Sequence, residues 1–254
     1  MKKILPIILI CCLHLQILAQ KKNPLSFEDY STHIFLNMGG IRHEVKTNSE
    51  NNMIKGIPAY DASASFSAFY FFKNHPVAIS LQGNCGFFSS QYITKSGYYG
   101  DEFDGKFKEV INLSSYLKLG LNYNYSLTIN SKMNMLFFIG SSILIQSRTG
   151  NYDNDGWFNV TSENGIVLYT FETKYSLYKT RKETIGSQFG VNLLYKAFKR
   201  NAFLLTLGYS LGFQDFYEQR ASIWLNNVNT DNAIITGRGS GFYGSLGFSI
   251  PLNL

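Results

Sequence analysis

The sequence predicts an all-β chain: an eight-stranded antiparallel up-and-down barrel that crosses a membrane. Three observations carry that prediction. Over residues 111–125, Ile111, Leu113, Leu117, Leu119, Leu121, Tyr123 and Tyr125 share one parity, with Ser115 the only polar interruption. Asn112, Ser114, Tyr116, Lys118, Gly120, Asn122 and Asn124 share the other. Successive side chains of a strand point to opposite faces, so the segment has a greasy face and a wet face. It is longer than a soluble strand of about five or six residues and long enough for a tilted bilayer-crossing strand, which needs ~9–11. Second, the pattern recurs along the chain. Third, the links between the alternating segments run long, short, long, short, as in barrels with short turns at one end and long loops at the other.

The elements follow in order. Lys2 and Lys3, the apolar stretch from Ile4 to Leu18, and Ala19 read as a secretory signal over residues 1–19. The barrel domain is expected over 20–254. Cleavage removes Cys11 and Cys12 and leaves Cys85, so no intramolecular disulfide is expected in the mature chain. In the first strand, 31–41, Ile34, Leu36 and Met38 oppose His33, Asn37 and Gly39. A polar loop, 47–56, leads to the second, 59–72, where Phe66, Ala68, Tyr70 and Phe72 oppose Ser63, Ser65 and Ser67. A tight turn at 73–76 precedes the third, with Val77, Ile79, Leu81, Cys85 and Phe87 against Ser80, Gln82 and Asn84. The segment 111–125 is the fourth. The fifth sets Met135, Phe137, Ile139, Ile143 and Ile145 against Ser142, Gln146 and Arg148.

The sixth strand sets Ile185, Phe189, Val191, Leu193 and Tyr195 against Gln188, Gly190, Asn192 and Lys196. Upstream, Val167, Tyr169, Phe171, Tyr175 and Leu177 keep the same parity. Residues 167–177 therefore read either as an extension of this strand beyond the membrane or as a hairpin stacked above the barrel, and a count of ten strands stays open. The seventh is the cleanest: Phe203, Leu205, Leu207, Tyr209, Leu211 and Phe213 against Leu204, Thr206, Gly208, Ser210, Gly212 and Gln214. A long loop, 215–236, leads to the eighth, with Phe242, Leu246, Phe248, Ile250 and Leu252 on one face.

Composition narrows the class. No apolar run of 18 or more residues follows the N-terminus, which excludes a helical membrane protein. Aromatics make up 16% of the chain, in keeping with the aromatic girdles of a membrane barrel. The formal charge is +6, or +4 once Lys2 and Lys3 leave, without a basic block, so nucleic acid is not an expected partner. A soluble barrel would turn the greasy parity inward. The polar parity here is small, uncharged and Gly-rich, whereas a soluble surface carries roughly a quarter or more charged residues. An open sheet in lipid would leave backbone groups unpaired, so the first and eighth strands are expected to close the barrel.

The signal ending Ala19-Gln20, the eight amphipathic strands and the terminal run from Gly241 to Leu252 (Gly-Phe-Tyr-Gly-Ser-Leu-Gly-Phe-Ser-Ile-Pro-Leu) resemble the small outer-membrane β-barrel proteins of the OmpA-like and PorT-like type common in Bacteroidetes. The resemblance covers residues 31–254. It implies a place in the bacterial outer membrane. Such barrels often end on an aromatic read by the insertion machinery, whereas this chain ends Pro251-Leu252-Asn253-Leu254. Recognition is then expected to rest on Phe248 and Ile250, or on a variant signal. No periplasmic domain is expected after the barrel.

An eight-stranded barrel is just wide enough inside to be filled by side chains. The expected inward set is Asn37, Ser65, Ser67, Gln82, Asn84, Asn112, Tyr116, Lys118, Asn122, Gln146, Arg148, Gln188, Asn192, Lys196 and Arg238, a polar plug. Within it, Asp61, Tyr116, Lys118, Arg148, Lys196 and Arg238 form the candidate site. Inward cations outnumber the one clear inward acid, Asp61, which suggests attraction of an anion such as a lipid phosphate by the upper lumen or loops. Residues 151–156 (Asn-Tyr-Asp-Asn-Asp-Gly) resemble the start of a calcium loop, but Asn151 stands where Asp is expected and Glu163 falls one place late. Asp101, Glu102 and Asp104 read as a solvated loop tip, and no metal or cofactor is expected. Of the mature histidines, His33, His43 and His75, only His43 lies at an outer rim, and no Gly-x-Ser-x-Gly elbow supports catalysis. The expected role is therefore non-enzymatic: structural, adhesive or accessory to secretion, through the loops 89–107, 149–165 and 215–236. A narrow pore or small-ligand transporter is the first alternative and a lipid-modifying enzyme the second. Outer-membrane lipids and envelope or secretion-system proteins are the expected partners.

Overall fold

A computed structural model describes residues 32–72, 75–94, 108–146, 152–161, 167–179, 183–197, 201–225 and 228–251. The strands are β1 (Thr32–Ser49), β2 (Ile54–Ile57), β3 (Ala59–Phe71), β4 (Val77–Thr94), β5 (Lys108–Asn130) and β6 (Met133–Gln146). They continue with β7 (Tyr152–Thr161), β8 (Val167–Lys179), β9 (Glu183–Lys196), β10 (Ala202–Gly212), β11 (Tyr217–Leu225) and β12 (Val228–Pro251). Eight of them, in the order β1-β3-β4-β5-β6-β9-β10-β12, form an antiparallel barrel that β1 and β12 close by pairing from His33↔Pro251 to His43↔Gly241. The count is eight and not ten.

The expected parity holds around this wall. Leu36, Met38, Leu121, Ile139, Leu207 and Leu246 are exposed on the outside, while Asn37, Asn122, Gln188 and Asn192 are buried inside. The connections sort by end. Phe72 and Val77 close one tight turn, with Phe72 N donating to Val77 O at 3.1 Å. Asn130 Oδ1 accepts from Lys132 N at 2.9 Å in a second, and Ala197 N donates to Asn201 O at 3.1 Å in a third. These turns lie at the same end as Thr32 and Pro251; the long links lie at the other.

The long links are where structure and expectation part. β1 does not stop near residue 41 but runs to Ser49, so β1 and β2 take the two ends of the expected loop 47–56. The loop expected over 215–236 is instead β11 and the upper part of β12. β7 lies within 149–165. Residues 167–177 belong to β8, which pairs with β7 on one side and β11 on the other, so they form a hairpin in a sheet above the barrel and do not extend the sixth barrel strand. The upper sheet thus runs β1-β12-β11-β8-β7. Asn, Asp, Ser and Gly read as loop residues in isolation; long-range pairing overrides that preference.

β12 holds the two layers together. Its lower half pairs with β10 (Phe203↔Phe248 to Ser210↔Gly241), its upper half with β11 (Tyr217↔Gly237 to Leu225↔Val228). At 24 residues it spans roughly 75–80 Å at the usual rise, far more than an apolar band ~25 Å tall requires. A closed wall, greasy outside and polar inside, with short turns at one end, is a membrane-spanning barrel of the outer-membrane type. The bacterial outer membrane is the setting that this architecture fits.

Candidate functional site

Inward-facing residues of eight strands converge on the lumen and are buried there in tiers. At the end with the short turns, Phe35, Phe69, Ala78, Leu136, Leu194, Ala202 and Leu204 form a buried apolar cluster with Phe71 against it. His33 stacks on Phe35 (centroids 6.3 Å) and meets Phe71 edge-on (5.9 Å).

Above it lies a lattice of amides and hydroxyls. Asn37 Nδ2 donates to Ser65 Oγ (3.2 Å) and Ser67 Oγ (3.1 Å). Asn124 Nδ2 donates to Ser80 Oγ at 3.0 Å, and Asn122 Nδ2 reaches the same hydroxyl at 3.3 Å. Gln188 Nε2 donates to Asn122 Oδ1 (2.6 Å) and Gln82 Oε1 (3.4 Å), and Thr206 Oγ1 donates to Asn192 Oδ1 (2.7 Å). These bonds offset part of the cost of burying the amides and hydroxyls.

Higher still sits the charged tier. The Lys118 Nζ donates to Ser210 Oγ at 2.9 Å and lies 4.9 Å from the centre of the Tyr243 ring. The His43 Nε2 is 3.7 Å from Asp61 Oδ2, and its ring meets Tyr116 edge-on at 5.8 Å. Tyr116, Leu144, Phe216 and Tyr217 form a second buried cluster at this height, with Val45 packed against it.

Of the residues singled out in the sequence, Asp61, Tyr116 and Lys118 come together in this tier, buried. Lys196 is half-buried at the far end, at the close of β9, and does not join them. Arg238 differs from expectation: it is exposed and its Nε donates to Asp215 Oδ1 at 2.7 Å. It shares parity with Phe242 and Leu246, which face outward, and the two extra residues of the nearby bulge leave that parity unchanged. Arg148 and the Asn112 side chain fall outside the described residues, as do Asp101, Glu102, Asp104, Asn151 and Glu163. Residues 152–156, which resemble the start of a calcium loop in sequence, are a strand, paired from Tyr152↔Leu177 to Gly156↔Thr173. Among the described residues no three His, Cys, Asp or Glu side chains converge as a metal site.

Two features had little sequence signal. His43 looked like a rim residue, but its parity with Asn37 and Ile41 turns it inward. Asp231, within an expected loop, is buried in the upper sheet. Its carboxylate accepts from Ser49 Oγ (2.6 Å), Asn51 N (2.9 Å), Met53 N (2.9 Å) and Ile54 N (3.1 Å), pinning the β1–β2 turn to β12. The apolar lower tier did carry a signal. Phe69, Leu136, Leu194 and Leu204 are the greasy residues on the wet parity, and each lies within a few positions of a short turn.

No protein-family model matches the chain, and no curated protein matches it in sequence. Among solved structures it is similar to the outer membrane protein OprG from Pseudomonas aeruginosa, with a TM-score of 0.49, 10% identity, and 89% of this chain and 98% of that chain covered. It is similar to a major outer membrane protein from Thermus thermophilus (TM-score 0.43, 9% identity, 88% and 100% covered). It is also similar to the outer membrane protease OmpT from Escherichia coli (TM-score 0.40, 10% identity, 87% and 97% covered). At these identities and TM-scores none of them assigns an activity to this chain.

Proposed function

We propose that this chain is a non-enzymatic outer-membrane barrel that holds a β-sheet above the membrane for contact with other envelope, surface or secretion components. The observation that carries this is the continuation of β1 and β12 out of a filled barrel into the sheet β1-β12-β11-β8-β7. A pore needs an open lumen, and this one is occupied by apolar, amide and charged tiers in turn. A lipid-modifying site needs access for an acyl chain, and His43 and Asp61 are buried inside the wall. The reading fits the small-barrel resemblance of the terminal strand.

The test deletes residues 152–179, the β7–β8 hairpin, from the full chain. The shortened barrel is expected to insert and keep its heat-modifiable gel mobility, while losing the partners that co-purify with wild type from native membranes. Wild type in planar bilayers is expected to show no unitary conductance steps. Partners retained without the hairpin, or stepwise currents, would overturn the proposal.

A further inference from the structure

We infer that the outer wall of the barrel carries a site for one phosphorylated lipid of the outer leaflet, with its phosphate at Arg42 and an acyl chain in a hollow beneath it. This inference rests on the membrane setting of the barrel and not on what the upper sheet contacts.

The outward residues of β1 change character along the strand. Ile34, Leu36 and Met38 are apolar, and Arg42, Glu44 and Lys46 follow after Gly40. From Ile34 to Arg42 a tilted strand climbs about 20 Å, which puts Arg42 near the upper edge of an apolar band ~25 Å tall. Arg42 faces outward between two rings, Tyr60 on β3 and Phe242 on β12, its direct cross-strand partners. The guanidinium carbon lies 5.7 Å from the centre of the Tyr60 ring. Glu44, the nearby acid on the same face, leans the other way, where its Oε2 accepts from the Tyr209 hydroxyl at 2.8 Å. Among the described residues Arg42 has no carboxylate partner. Lys46 adds a second exposed cation two positions higher.

Directly below Arg42 the outer wall is bare. The next outward rung is Ala62–Gly40–Gly244, which offers one methyl group across three strands. The residues around it stand proud. Met38 is 79% exposed, and Tyr60 is 73% exposed. Leu207, opposite Gly244 on β10, closes the third side. A hollow of this kind at bilayer depth is filled by a chain, because an unfilled one forfeits dispersion contacts on both sides. An arginine at its upper end supplies paired donors suited to phosphate geometry. The shape and the cation together select an acyl chain carrying a phosphate, and neither feature alone would.

The test is native mass spectrometry of the full chain in detergent, with diphosphoryl lipid A, phosphatidylcholine or inorganic phosphate added in separate arms. Wild type is expected to retain one lipid A at activation that strips phosphatidylcholine, and inorganic phosphate is expected not to compete. Arg42→Gln is expected to lower retained lipid A about tenfold, the loss of a charge-assisted contact. Ala62→Phe fills the hollow without changing charge and is expected to lower retention as well. It points into lipid, and gel mobility reports that the barrel is still folded. Equal retention by wild type and Arg42→Gln would overturn the inference. So would competition by inorganic phosphate, or a dimer that Ala62→Phe dissolves, which would assign the hollow to a second copy of this chain.

Discussion

Asn122 binds three strands through one amide. Its Nδ2 reaches Ser80 on β4 at 3.3 Å, and its Oδ1 accepts from Gln188 on β9 at 2.6 Å. Gly120, on the same inward parity, makes this possible, because a Cβ there would overlap the Gln188 amide. Asn122→Ala leaves the Gln188 donor without its shortest acceptor in a setting sealed from bulk water. The expected cost is about 1–3 kcal/mol, read as a lower urea midpoint for the barrel folded in vesicles. An unchanged midpoint would mean that the amide lattice contributes nothing net. Asn122 was legible from its parity, as were Gln82, Gln188 and Asn192. Arg238 was legible as well, because it keeps the parity of Phe242 and Leu246, and that parity sets it outside and not in the lumen.

At the scale of one element, β12 changes partner from β10 to β11 at a break in its register. His43 faces Gly241 and Val45 faces Gly237, so Glu44 alone opposes Arg238, Gly239 and Ser240. Extra residues in one strand bend it and sharpen its twist. Gly239 holds φ +72, which a β-branched residue reaches only with strain of ~1–2 kcal/mol. Gly239→Val is therefore expected to loosen the upper sheet and spare the barrel. Limited trypsin digestion would show faster cutting at Lys174 and Arg220, with the gel mobility of the folded barrel retained. The same cutting rate as wild type would show that the partner change does not depend on Gly239.

For the whole molecule, the decisive quantity is where the apolar belt sits. Leu207 lies near the middle of β10 and faces outward, whereas Phe213 lies just past its upper end. An arginine facing lipid costs about 2–4 kcal/mol at the midplane and ~0–1 near an interface. Leu207→Arg is therefore expected to lower the folding free energy in vesicles by several times as much as Phe213→Arg. Equal costs would move the belt away from the barrel's middle. The filled lumen follows from size: eight strands leave only enough room for side chains.

The alternation of the strands by itself determines the eight-stranded barrel. A period of two assigns each side chain a face, short turns assign each strand an end, and lipid forbids an open edge. Those local rules placed Leu36 and Leu121 outside, Asn37 and Asn122 inside, and β1 beside the terminal strand. Tertiary structure decided what local rules do not reach. It drew 167–179, 217–225 and 228–237 into an upper sheet, because pairing partners far apart in the chain outweigh the loop-like composition of those segments. It brought His43, Asp61, Tyr116 and Lys118 to one height in the lumen, since strand tilt and register set which rungs are level. It left a bare rung beneath Arg42 because Ala62, Gly40 and Gly244, inconspicuous in three separate stretches, become neighbours only when the barrel closes.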